Sequence, residues 1–253
     1  MSKRRRLWIL LLVSWLCSAV AHPEPLPAHR AEYLLTRDGL PFATMVMELE
    51  RAANGGYHYR SSTRPHKALE LVNMALDIAP GAHMSEQSAG KVVNGQFRPD
   101  RYRFRRDNAD RRELTVTFDW EKGRAEMASS EQPWSMEVPA GTLDKLTVLL
   151  ALRQDLAAGS QDLTYPVADG GKLKSYRYRV AGPQQVTISD RAWESIEVTR
   201  SKQEGPTDYR IWLAAKLRYL PVLVEREEDG ALFRMELTAT EDIDAGETMA
   251  TGD

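Results

Sequence analysis

Residues 31–50 read AEYLLTRDGLPFATMVMELE. Two alternating runs, Ala31–Thr36 and Phe42–Glu50, flank Asp38-Gly39. Alternation with period two puts successive side chains on opposite faces of a strand. Asp-Gly suits the left-handed central positions of a two-residue turn. The stretch therefore predicts a β-hairpin, and the same grammar recurs downstream. Asn54-Gly55-Gly56 precedes a strand at Tyr57–Thr63, with Tyr57 and Tyr59 on one face. His83–Val93 ends at Asn94-Gly95. Arg101–Arg106 and Glu113–Trp120 alternate, and a turn at Glu121-Lys122-Gly123 leads into Arg124–Ala128. Further strands are expected at Leu163–Val167, Leu173–Val180, Gln185–Ile188, Trp193–Ser201 and Asp208–Leu213. Val222–Glu227 and Leu232–Thr238 make a closing hairpin around Asp229-Gly230. The run Ala68–Ile78 fits helix and strand alike.

One segment departs from this pattern. Leu143, Leu146, Leu149, Leu150 and Leu156 share a helical face, which Val148 and Leu152 widen. A helix over Leu143–Ala158 follows, started by Thr142 or Asp144 and ended by Gly159. Short strands joined by Gly and Asn turns indicate an antiparallel sheet with too many strands for one flat layer. The expected fold is mainly β: a curled antiparallel sheet, either a β-roll or an incomplete barrel, with one principal amphipathic helix packed on it.

The ends of the chain read differently. Lys3 and Arg4–Arg6 precede an apolar run, Leu7–Leu16, that is too short to span a bilayer. Ala19-Val20-Ala21 supplies small residues for cleavage after Ala21. Residues 1–21 are thus expected to be a signal peptide, and the mature chain to be periplasmic. Residues 22–29 form a proline-containing flexible lead-in, 30–240 a single β-rich domain, and 241–253 a flexible acidic tail. The leader carries four basic residues, no acidic one and the sole cysteine. Its removal takes the net charge from −2 to −6 and leaves no thiol. A thiol nucleophile, a redox pair and a cysteine zinc site are thereby excluded, and no transmembrane span remains in the mature chain. Mean hydropathy is −0.47, ordinary for a globular chain.

No arrangement declares a reaction. His22, His29, His58, His66 and His83 include no i, i+4 pair, so no metal site is expected, nor any cofactor. Ser88-Ala89-Gly90-Lys91 matches S-x-x-K but lies in strand and turn rather than at a helix start. Gly170-Gly171-Lys172 lacks the upstream glycine of a phosphate loop. The strands around Tyr102 and Tyr178 carry the strongest signal. Arg101, Arg103 and Arg105 fall on one strand face, and Arg177 and Arg179 repeat the pattern. Arginine binds phosphate and carboxylate through paired hydrogen bonds, so these five are candidate ligand-binding residues. Asp100, Asp107, Asp110 and Glu113 are placed to neutralise them. Nucleic acid does not suit an acidic exported chain.

The order of several residues resembles the exported bacterial family named domain of unknown function 3108. Tyr33 through Gly39 to Leu49 comes first, then Ser88, Gly95, Pro99 and Tyr102. Asp144-Lys145-Leu146 opens the helix that runs to Leu152-Arg153. Tyr165-Pro166-Val167, Trp212 and Leu220-Pro221-Val222 follow. The resemblance covers roughly Ala31–Thr238 and implies an exported envelope protein of Gram-negative bacteria, with no catalytic residues to carry over. A non-enzymatic binding or carrier protein for an amphiphilic or anionic envelope ligand, such as a lipid or glycan, is expected. The alternatives are an assembly protein that holds a protein partner and, after it, a hydrolase of envelope polymers.

Overall fold

Asp38 and Gly39 both take positive φ, 50° and 80°, and the chain reverses there. The computed structural model describes residues 26–65, 83–107, 112–127, 133–201, 207–242 and 247–250. In it β1 (His29–Arg37) and β2 (Leu40–Arg51) pair antiparallel across that turn. From β2 the sheet grows outward through β3 (Gly56–Pro65), β4 (His83–Val93), β5 (Gln96–Asp107), β6 (Arg112–Asp119), β7 (Arg124–Met127) and β8 (Trp134–Glu137). On the other side of β1 lies β15 (Ala231–Asp242), then β14 (Leu220–Glu228), β13 (Thr207–Ala214) and β12 (Arg191–Ser201). The path ends through β11 (Lys172–Ile188), β10 (Thr164–Asp169) and the two-residue β9 (Leu143–Asp144), which pairs parallel to β10. The sheet curls without closing, as expected of an incomplete barrel.

The helix α1 (Thr147–Ala157) lies against the concave face between two apolar clusters. Leu146 and Leu150 join Tyr33, Tyr57, Tyr59 and Tyr102 in one; Val148, Leu152 and Leu156 join Val167, Val198 and Leu213 in the other. These side chains pack beneath the helix. Ala157 of α1 is exposed and Leu149, Ala151 and Asp155 are half-buried, while the rest of the helix is buried and carries Arg153 and Gln154 inward with it.

Four boundaries differ from the sequence reading. The helix starts at Thr147 rather than Leu143, because Leu143–Asp144 pair with Val167–Ala168. The strands expected at Leu173–Val180 and Gln185–Ile188 are one strand, β11, with an irregularity between Val180 and Gly182. The described part of the lead-in is packed: Leu26, Ala28 and His29 are buried. The acidic tail is not frayed throughout, since β15 runs to Asp242 and β16 (Glu247–Ala250) pairs with it. The signal peptide and the Ala68–Ile78 segment lie outside the described residues.

Candidate functional site

The five arginines singled out in the sequence face away from the core. Tyr102 and Tyr178 are buried, so Arg101, Arg103 and Arg105 on β5, and Arg177 and Arg179 on β11, are exposed on the convex side. Arg105 pairs with Asp107 at 2.9 Å and Arg103 lies 3.9 Å from Glu113, the neutralisation expected from the sequence. Eight strands separate β5 from β11 along the sheet path. Among the described residues no hydrogen bond, ion pair or ring contact joins the two groups.

A buried polar knot ties α1 to the sheet. The Ser88 hydroxyl donates to Asp144 Oδ2 at 2.5 Å and lies 2.6 Å from Thr147 Oγ1. Asp144 Oδ1 accepts the backbone N–H groups of Leu146 and Thr147 at 2.8 and 2.7 Å, capping the first turn as the sequence predicts. The Tyr57 hydroxyl is 3.2 Å from both Ser88 and Thr147. Ser88 has no exposed surface, and Lys91 of the S-x-x-K match is exposed, so the pair forms no nucleophile–base couple. Burial pushes the Asp144 carboxyl up to about 6, against the opposing pull of these hydrogen bonds. A raised carboxyl favours the fold below its unfolded value of 3.8, and that contribution is lost as pH rises through 6. Asp144→Asn keeps the acceptor for the two N–H groups. It is expected to remove a loss of roughly 3 kcal/mol between those pH values, measured by urea unfolding across the range.

Arg153 is buried on α1 with no carboxylate beside it among the described residues. Its Nη1 donates to His29 Nε2 at 2.8 Å and its Nε to the Arg218 carbonyl at 3.3 Å. His29 Nδ1 lies 3.0 Å from the Pro27 carbonyl and donates to it, which leaves Nε2 as the acceptor. Burial, then the charge on Arg153, lowers His29 to about 3. The sequence reading placed His29 in a flexible segment; neither it nor the buried Arg153 was among the candidate residues, because charge on an apolar helix face reads as solvent-facing.

A second set of arginines lies on the concave face, one per strand, at the open ends of the strands. Arg200 shares its strand face with the buried Val198, Tyr209 with Ile211, and Arg226 with Val224. The row continues through Phe233 to Arg37 by pairing register. The Arg200 guanidinium stands 4.3 Å from the Tyr176 ring centre and 4.4 Å from that of Tyr209; Arg226 is 5.4 Å from Tyr209 and Arg37 5.6 Å from Phe233. Arg226 also bonds Glu228 at 2.8 Å. Across the concavity, Arg106 and Arg112 face each other in register one step beyond Phe104 and Leu114. The arrangement is a cationic and aromatic tier above buried apolar side chains, suited to holding an oxyanion.

A family model described as "Protein of unknown function (DUF3108)" matches residues 32–238. No curated protein matches the chain. Among solved structures it is similar to a beta-barrel-like protein of the domain of unknown function DUF1849 from Brucella abortus. That likeness has 18% identity and a TM-score of 0.57, and covers 87% of this chain and 100% of the other. At such identity the likeness is one of fold.

Proposed function

The chain belongs to the DUF3108 family of proteins of unknown function, and from that premise we propose that it is an exported envelope protein that binds a phosphate-bearing amphiphile without catalysing a reaction. Export is supported by the basic start, the short apolar run and Ala19-Val20-Ala21. The observation that carries the ligand is Arg200 held between the rings of Tyr176 and Tyr209 on the concave face. A guanidinium flanked by two rings presents a planar fork of donors, the group that recognises two oxygens of one phosphate. Buried side chains pack below this row among the described residues, which favours a headgroup gripped at the rim over acyl chains held inside.

The test is sedimentation of the mature protein with phosphatidylglycerol or phosphatidylcholine vesicles, with glycerol phosphate as competitor. Binding to the anionic vesicles is expected, weakened at least about tenfold when Arg200→Gln and Arg226→Gln are combined. Competition by millimolar glycerol phosphate would identify a soluble phosphoester as the source rather than a lipid. Arg101→Gln with Arg103→Gln should leave binding intact; loss there instead, or no anion binding at all, overturns the concave site.

A further inference from the structure

Near the end of β5, Arg106 stands directly opposite Arg112 of β6 on the concave side. Both are exposed, and neither guanidinium has a hydrogen bond or ion pair among the described residues. Like charges directly opposite on paired strands destabilise a sheet, so the pair carries a standing cost. The described carboxylates nearest in register are engaged elsewhere. On the convex side Asp107 pairs with Arg105, and Glu113 lies beside Arg103. On the concave side Glu86, in register with Phe104 one layer below, accepts the Tyr102 hydroxyl at 2.8 Å. Beyond β4, β3 and β2 along the sheet the tier is different: Arg226 bonds Glu228 and Arg37 lies 4.0 Å from Asp38. The pair on β5 and β6 has no such counter-charge among the described residues.

We infer that the ligand carries two separate phosphates, one held by the row of Arg200 and Arg226 and the other between Arg106 and Arg112. The inference rests on the function proposed above and adds the class of ligand: a bisphosphorylated amphiphile rather than a monoester. Two facing guanidiniums can each give paired N–H donors to one phosphate, and the anion between them turns repulsion into a shared attraction. Five strands separate β5 from β14 along the sheet path, so the two clusters stand on different stretches of the rim. Two anionic groups on one molecule make the second contact intramolecular. Affinity then rises most when their spacing matches the span between the clusters, and less when it is shorter or longer.

Isothermal titration of the mature chain with straight-chain diol bisphosphates of about four to about twelve carbons, against alkyl monophosphates of the same lengths, tests this. Affinity should peak at one spacing, where the bisphosphate binds at least about tenfold more tightly than the monophosphate. Arg106→Gln combined with Arg112→Gln should abolish the peak and leave monophosphate binding unchanged. A gain equal at every spacing is the effect of added charge alone and overturns the second phosphate, as does a peak that survives in that double variant. Monophosphate binding weakened by the same variant means one phosphate shared by both clusters and overturns it too. In each of these cases the site at Arg200 and Arg226 still stands; no binding of either series at about ten millimolar overturns both. Arg112→Glu sets a carboxylate opposite Arg106. It should raise the unfolding midpoint of the ligand-free protein by about a degree or more while abolishing the peak. An unchanged midpoint would show that the pair carries no repulsion, which removes the reason for an anion there.

Discussion

Gly90→Ala is expected to destabilise the protein by more than about 4 kcal/mol, the largest effect of a methyl group added at any of the described glycines. A Cβ built at Gly90 lies 2.1 Å from the Arg98 carbonyl oxygen, 2.8 Å from Pro99 Cα and 2.9 Å from the Asp100 nitrogen. All three are backbone atoms, so no side chain can rotate aside. The close approach arises because the pairing of β4 with β5 shifts between Ala89 and Gly90, which drives the two backbones together. Gly39→Ala is the matched control. Gly39 has φ +80° and open space around its Cβ position, so its cost is conformational only, about 1 kcal/mol. Urea unfolding of both variants measures the difference. A Gly90→Ala protein within about 1 kcal/mol of the parent would show that β5 can move away freely.

Acidification should act on the fold through His29. Its value falls from 6.5 in the unfolded chain to about 3 in the fold. Between those limits the unfolded chain binds the extra proton, so the stabilisation present above pH 6.5 is lost as pH falls toward 3. The full difference is up to roughly 5 kcal/mol, because protonation would set imidazolium against the buried Arg153 guanidinium. Asp144 changes stability in the opposite sense over part of this range, so in the parent protein the two slopes offset each other near pH 5. In an Asp144→Asn background the His29 slope should stand alone, and stability should fall steeply on acidification. A flat profile in that variant would mean that His29 is not neutral and buried in solution. At neutral pH, His29→Leu should cost about 3–5 kcal/mol by leaving the buried Arg153 Nη1 without its acceptor, read by the same unfolding measurement.

The hairpins were legible because alternation and turn chemistry are both local. Asp38-Gly39, Asn94-Gly95 and Asp229-Gly230 all occupy the left-handed region that their residue types predict. The start of α1 was misplaced for a physical reason: Leu143 and Leu146 satisfy helical spacing, yet Leu143 is drawn into β9 by pairing with Val167. Asp144, which the sequence offers beside Thr142 as the start of the helix, accepts the first N–H groups, but its contact with Ser88, 56 positions away, depends on tertiary folding. The conspicuous arginines were those clustered within a strand, and the fold turns them outward. The concave tier draws Arg37, Arg106, Arg112, Arg200 and Arg226 from separate strands, so no window of sequence contains it.

The pairing of β1 with β15 brings His29 beside Asp242 and Arg37 beside Phe233. An early strand thus obtains its second neighbour from a segment made much later. Until β15 arrives, one edge of β1 offers its hydrogen-bonding groups to any extended chain nearby. Closing so long a loop is entropically slow, so this pair cannot form locally as the β1–β2 hairpin can. A protein of this topology, threaded through a membrane amino end first, would hold that edge open for most of its passage. On the proposed export route the exposure of this edge belongs to the time before folding, and a factor that shields β1 during that interval would raise yield without altering stability.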